Sequence, residues 1–345
     1  MRMTTLGGTG IKISRYCLGT MMFDRCADPA RMLDLALDAG LNFVDTADAY
    51  GQGAVEEILG RALTGRRDRI VLASKVFFPM GNDPNQSGGS RRWITRAVED
   101  SLRRLGTDYL DLYQLHRFDP DTDLDETLSV LSDLVRAGKV RAIGTSTFPA
   151  EQIVEAQWTA ERRGHIRFRC EQPAYSILVR GAETSVLPTC RRYGMATLGW
   201  SPLAGGFLSG KYRAGQPIDL HTGRPASYPH RFDPAIPANA RKLEIVETLT
   251  TLATEGGWSL PHLAMAFTMA HPALTAAIIG PRTPAQLADL LAGADLALDD
   301  AVLDRIDKIV PPGVTVNALD ANSQTPHTLH DPASRRRPPK DRSAR

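Results

Sequence analysis

The chain has 345 residues, 42% hydrophobic and 23% charged, with 41 Lys and Arg against 39 Asp and Glu. That balance excludes a disordered chain and a collagen-like repeat, and only four Cys exclude a disulfide-stapled scaffold. The net charge of +2 is uneven: residues 331–345 carry a net +4, which leaves about −2 for 1–330 and no basic excess there for nucleic acid.

Cys17, Cys26, Cys170 and Cys190 show no C-x-x-C spacing, so neither a zinc knuckle nor a redox pair is written, and reduced, buried thiols are expected. No apolar run approaches the ~20 residues of a membrane helix. The stretch MRMTTLGGTGIKIS lacks an apolar signal core. These features predict a soluble, cytoplasmic protein with one domain over 1–317 and a disordered basic tail over 318–345.

In chain order, 1–14 reads as a hairpin turning at Gly7, Gly8 and Gly10. Strands are predicted at 16–22, 42–45, 70–75, 110–116, 140–146, 168–172, 195–201 and 276–280. Helices are predicted at 30–39, 55–63, 92–105, 124–136, 150–162 and 183–193, and a further one carries Leu290. In 92–105 the stripe Trp93, Ile94, Ala97, Val98, Leu102, Leu105 marks one packing face. Segment 211–238 reads as a long loop, 239–271 as additional helices, and Pro311-Pro312-Gly313 as the end of the core. Strand–helix alternation implies parallel pairing through right-handed crossovers. Eight strands then imply a (β/α)8 TIM barrel with an N-terminal β-hairpin and C-terminal helices and loops. An open doubly wound sheet would want a glycine-rich first turn, and Gly19-Thr20-Met21-Met22 lacks it.

Asp45, Lys75, His116, Ser146, Gln172, Trp200 and Gly280 stand at the carboxyl ends of predicted strands, with gaps of 30, 41, 30, 26, 28 and 80 residues. A βα unit of about 30 residues returns the chain to the same height, so these side chains should meet at one barrel mouth. Tyr50, five residues after Asp45, can fold over that mouth. A nearby Lys75 ammonium would stabilise tyrosinate and lower the Tyr50 pKa. A buried ammonium needs a carboxylate partner, and Asp45 could supply one. His116 could hydrogen-bond a substrate oxygen. Together these groups would polarise a carbonyl and deliver a proton to the forming alkoxide. A metal-dependent hydrolase would need a cluster of His and carboxylates at strand ends, where only His116 and Asp45 qualify.

Asp45-Thr46-Ala47-x-x-Tyr50-Gly51, Ser74-Lys75-Val76 and Asp111-Leu112-Tyr113-Gln114-Leu115-His116 resemble the aldo-keto reductase family. So do Ile143-Gly144-Thr145-Ser146, Gln172-x-x-Tyr175-Ser176, Gly199-Trp200-Ser201-Pro202-Leu203-Ala204-Gly205-Gly206 and Ile278-Ile279-Gly280-Pro281-Arg282-Thr283. The resemblance covers roughly 3–310. Trp200-Ser201-Pro202-Leu203 is closest to the bacterial relatives of the potassium-channel β subunits. It implies a (β/α)8 barrel that reduces an aldehyde or ketone with NADPH. Tyr50 would be the proton donor, Lys75 and Asp45 its tuning pair, and His116 the group that orients the carbonyl. Ser146 and Gln172 would hold the carboxamide, and Trp200 would stack on the nicotinamide. The loop with Ser201, Pro202, Leu203, Gly205, Ser209 and Lys211 would wrap the pyrophosphate, and Gly280 would close the last strand beside it. Arg282 would clamp the 2′-phosphate of NADP⁺, with Gln286 and Asp289 towards the adenosine.

Thr147 and Leu290 depart from the Asn residues many relatives carry. Gly205-x-x-x-x-Gly210-Lys211 nearly spells a P-loop, but Tyr212 replaces its Mg²⁺-holding hydroxyl residue. A nucleotide-sensing partner protein with slow turnover, resembling the channel β subunits, is the alternative. Loops 77–90, 117–123 and 211–238 would frame the substrate. Phe77, Phe78, Pro79 and Met80 suggest an apolar wall, and a small to medium uncharged carbonyl is predicted.

Overall fold

The structure is a computed structural model that describes residues 1–321. β1 (Met3–Thr5) and β2 (Lys12–Ser14) pair antiparallel in the expected hairpin. Its Leu6 and Ile13 are fully buried against the barrel interior, so the hairpin stoppers the end opposite the carboxyl ends of the strands. Gly7 has φ +52 and lies against the chain at Arg169 and Ala196, where a Cβ would come within 2.6 Å of the Arg169 carbonyl oxygen.

Eight parallel strands close the barrel in sequence order: β3 (Tyr16–Gly19), β4 (Phe43–Asp45), β5 (Val71–Val76), β6 (Leu110–Leu115), β7 (Val140–Ser146), β8 (Cys170–Gln172), β9 (Ala196–Trp200) and β10 (Ala276–Ile279). The outer helices are α1 (Pro29–Asp38), α2 (Ala54–Leu63), α3 (Arg91–Leu105), α4 (Leu124–Arg136), α5 (Ala150–Arg163) and α6 (Val186–Arg192). α7 (Gly223–Ser227), α8 (Pro237–Glu255), α9 (Leu260–Ala270), α10 (Pro284–Ala292) and α11 (Asp300–Ile309) complete them. The predicted (β/α)8 barrel is therefore present, and its strands mostly end a residue or two inside the expected limits.

Alternation sorts the strand residues. Cys17, Phe43, Ala73, Leu112, Ala142, Cys170, Leu198 and Ile278 point inward and fill the barrel. Their neighbours, such as Leu18, Val44, Leu72 and Ile143, pack outward on the helices. Each fully buried aliphatic side chain stabilises the fold by about 1.5–3 kcal/mol relative to exposure. Several helix starts are capped by a side-chain oxygen: Ser90 accepts from the Trp93 N–H, Asp28 from Arg31 and Thr283 from Gln286.

Two expectations change. Segment 211–238 contains α7 and a 3₁₀ turn at Pro229–Arg231. Phe232 stacks on Phe207 at 5.2 Å, and Asn239 donates to the carbonyls of His230 and Asp233, which pins the segment down. Pro311-Pro312-Gly313 does not end the packed chain either. Val316 donates to the Leu178 carbonyl, Asn317 to Asn239, and Lys242 to Asp320 at 2.7 Å. Ala318–Ala321 forms a 3₁₀ turn, and the rest of the expected tail, 322–345, lies outside the described residues. Cys17, Cys170 and Cys190 are buried, Cys26 is half-buried, and all four are free thiols. Among the described residues no helix is long and apolar enough to cross a membrane.

α2 crosses α3 at Gly60, where a Cβ would lie 2.4 Å from the Arg104 carbonyl oxygen and 2.9 Å from the Leu105 carbonyl carbon. Backbone cannot yield as a side chain does, so Gly60→Ala should lower unfolding free energy by about 1–3 kcal/mol. Urea denaturation checks this, and an unchanged midpoint would show that the helices can separate at no cost.

Candidate active site

Asp45, Lys75 and His116 from strand ends and Tyr50 from the turn after β4 meet at the carboxyl end of the barrel. Lys75, one residue from the end of β5, is fully buried. Its Nζ donates to Asp45 Oδ2 at 2.6 Å, to the Thr46 carbonyl at 2.8 Å and to Tyr50 Oη at 3.4 Å. Asp45 Oδ1 in turn accepts from Gln172 Nε2 at 2.9 Å and from Gln114 Nε2 at 3.4 Å. Burial works against the ammonium, but Asp45 and Tyr50 outweigh it and hold the Lys75 pKa above its ordinary value.

Tyr50 reaches this pair through a sharp turn. Gly51 at φ +58, Gln52 at φ +53 and Gly53 at φ +93 carry the chain from Tyr50 into α2. Glycine supplies that left-handed backbone without a Cβ penalty. Burial pushes the Tyr50 hydroxyl pKa up, and Lys75 pulls it down by less, so the net shift is upward. The predicted lowering by Lys75 is thus present but outweighed, and Tyr50 stays protonated at neutral pH.

His116 follows β6. Its ring meets Tyr50 edge-on at 5.9 Å and Phe78 at 4.8 Å. Burial, Lys75 and Arg117 push its pKa well below 6.5, so the imidazole is neutral. Its buried Nδ1 has no hydrogen-bond partner among the described residues.

The residues assigned to a dinucleotide form two groups. Ser146 Oγ donates to the Gln172 carbonyl at 3.0 Å, and Gln172 is bonded to Asp45, so both join the Asp45 network. Trp200 is half-buried and lines a cavity with Ser201, Ala204, Gly205, Arg224, Tyr228 and Arg231. The chain after it is strained: Ser201 has φ +59, Ala204 +49, Gly205 +69 and Gly206 +105. Ser201 Oγ accepts from the Gly205 N–H at 2.9 Å, Pro202 is buried, and Leu203 packs on both hydrophobic clusters. Ser209 donates to the Gly206 carbonyl, and exposed Lys211 lies over the Tyr212 ring. Thr147, at φ +58, is a β-branched residue in the left-handed region. Gly280 directly follows β10 in an exposed position. Arg282, Gln286 and Asp289 stand exposed at and beyond the N-terminus of α10, with the Arg282 N–H donating to Gln286 Oε1 at 2.8 Å. No bond links them to the Asp45 network among the described residues.

Sequence reading missed Gln114, Arg117 and Asp48. Gln114 was detectable, because it precedes His116 by two and so shares its inward face. Asp48 is fully buried, and burial together with Glu56 lifts its pKa to about 8. Its folded value exceeds the 3.8 of an ordinary aspartate, so folding takes up a proton and stability falls as pH rises from 3.8 to about 8. Asp48→Asn should flatten that slope in urea titrations at pH 5 and pH 8, and an unchanged slope would assign it to other groups. Lys75→Met strands a buried carboxylate and should cost about 3–5 kcal/mol of unfolding free energy. A loss under 1 kcal/mol would show the pair is solvated.

The aldo/keto reductase family profile matches residues 15–311. The chain is 39% identical to the uncharacterized oxidoreductase YrpG of Bacillus subtilis, over 90% of this chain and 96% of the relative. It is 36% identical to the aldo-keto reductase YhdN of the same organism, over 83% and 87%. It is also 33% identical to an Arabidopsis thaliana protein named "Probable voltage-gated potassium channel subunit beta", over 90% and 97%. With a closed barrel, strand-end groups gathered at one mouth and a profile match over most of its length, the chain belongs to the aldo/keto reductase family.

Proposed function

We propose that the chain is an NADPH-dependent oxidoreductase that reduces an aldehyde or ketone to an alcohol, with Tyr50 as the proton donor. One observation carries the reading: Lys75 Nζ stands between Asp45 and the Tyr50 hydroxyl. The mouth suits a dinucleotide. Positive-φ residues from Ser201 to Gly206 bring bare backbone beside Trp200, as anion cradles require. Gln172 gives its amide N–H to Asp45, which leaves Oε1 as an acceptor for a carboxamide. Ser146 and Gln172 would hold that carboxamide, and Trp200 would flank the ring. Ser201, Pro202, Leu203, Gly205, Ser209, Lys211 and Gly280 would line the pyrophosphate, Arg282 the 2′-phosphate, and Gln286 and Asp289 the adenosine. When bound, the nicotinamide supplies the hydride.

The protein's groups manage the proton. Neutral His116 donates a hydrogen bond to the substrate carbonyl oxygen and orients it. Tyr50, kept protonated by burial, gives its proton to that oxygen as negative charge develops. The Lys75 ammonium then steadies the tyrosinate, and Asp45 keeps Lys75 charged and in place. Positioned proton transfer of this kind contributes about 10²–10⁴-fold.

The channel-subunit name among the relatives favours one second reading, a nucleotide-sensing partner with slow turnover. Tight NADPH binding without turnover across a panel of carbonyls would select it.

Tyr50→Phe should lower kcat by about 10²–10⁴-fold and leave the NADPH dissociation constant, read by tryptophan quenching, near wild type. Wild-type turnover in that variant would remove Tyr50 from the chemistry. In the same titration Arg282→Ala should weaken NADPH more than NADH, and an equal effect on both would reassign Arg282.

A further inference from the structure

Four cations are buried in the described chain: Lys75, Arg117, Arg180 and Lys242. Three are neutralised. Lys75 pairs with Asp45, Arg180 with Glu183 and Asp307, and Lys242 with Asp320. Arg117, only 6% exposed, has no ion pair among the described residues. Its Nη1 donates to the carbonyl of its neighbour His116, and the guanidinium lies over the Phe78 ring at 5.4 Å. Nε and Nη2 have no hydrogen-bond acceptor among the described residues.

Glu171 is the carboxylate that acts on the Arg117 charge, without an ion pair to it. Glu171 is engaged by Thr145 Oγ1 and the Phe148 N–H, and burial lifts its carboxyl to about 7. An unneutralised buried charge is costly, so its persistence points to an anion that completes the site. Tyr50 and Phe78 both pack against the His116 ring, and Arg117 lies over Phe78, so Tyr50, His116 and Arg117 share one mouth.

Position indicates which anion. Arg117 follows β6 and touches Phe78, which follows β5, on the half of the barrel that holds Tyr50 and His116. The dinucleotide candidates come from the ends of β7 to β9 and the segments after β9 and β10. The guanidinium stands beside His116, the group that would meet the substrate carbonyl, and its planar fork matches a carboxylate in two-point fashion.

We propose that Arg117 is a specificity-determining residue that binds a carboxylate on the carbonyl substrate, so that oxo acids and formyl acids are preferred over uncharged carbonyls of similar shape. This rests on the carbonyl-reductase reading and replaces the uncharged substrate predicted from the loop composition. A phosphate ester offers similar anionic oxygens, and the test separates the two.

Wild type, Arg117→Gln and Arg117→Lys are assayed with NADPH on benzaldehyde, 4-carboxybenzaldehyde and 4-formylphenyl phosphate. Benzoate and benzyl alcohol binding to the NADPH-saturated proteins is followed by calorimetry. Wild type should favour 4-carboxybenzaldehyde over benzaldehyde by about 10–100-fold in kcat/KM, the range of one charged hydrogen-bonded contact. Arg117→Gln should bring that ratio near one, through KM rather than kcat, and Arg117→Lys should restore part of it. Equal use of both aldehydes by wild type, or a preference that survives Arg117→Gln, overturns the proposal. A larger preference for the phosphate than for the carboxylate also overturns it. If no aldehyde is turned over, the reductase reading fails separately. Benzoate binding then decides the anion site: binding lost in Arg117→Gln supports it, and no binding to wild type overturns it.

Discussion

The buried Lys75–Asp45 ion pair constrains the rest of the site. An ammonium and a carboxylate 2.6 Å apart, both screened from water, are tolerated only when the remaining polar atoms are also satisfied. The barrel does this with groups from several strands: the Thr46 carbonyl after β4, Gln114 on β6 and Gln172 on β8. These contacts fix the mutual height of four strands at the mouth. The tyrosine that completes the set comes from the turn after β4, where glycines remove the steric obstacle to a tight return.

The same burial sets the charges around that pair. It keeps Tyr50 protonated and His116 neutral, so the mouth holds one acid and one neutral donor where a solvated site would titrate more freely. It also raises Glu171 and Asp48, which weakens the negative charge available to neighbouring cations. Arg117 is left as the buried cation without an ion pair in the described chain. The polarity of the mouth thus follows from which groups burial discharges and which it cannot, since a guanidinium stays protonated at any physiological pH.

On the opposite half the backbone carries the features. Four positive-φ residues between Ser201 and Gly206, two of them not glycine, are held by the Ser201–Gly205 hydrogen bond and by Phe207 beneath them. Segment 223–233 folds over this turn and is tied down through Phe232 and Asn239. Lys242 then binds Asp320, which draws the end of the described chain onto the same layer. Rigid strand ends thus face a covered, strained loop across the mouth.

Much of this was legible in the sequence. Alternating short apolar runs and amphipathic segments determine a parallel barrel, because each periodicity admits one way to bury its apolar face. Residues recurring near 30-residue intervals at strand ends determine that Asp45, Lys75 and His116 share a mouth, because every βα unit returns to the same level. Tertiary structure decided what depends on distance and burial. It turned Gln114 and Gln172 onto Asp45, reversed the net shift expected for Tyr50, and gave the 211–238 segment its packed turn through aromatic contacts from distant positions. It also left Arg117 without a carboxylate. No local pattern records that last fact, because whether a charge is neutralised depends on every chain segment that folds around it.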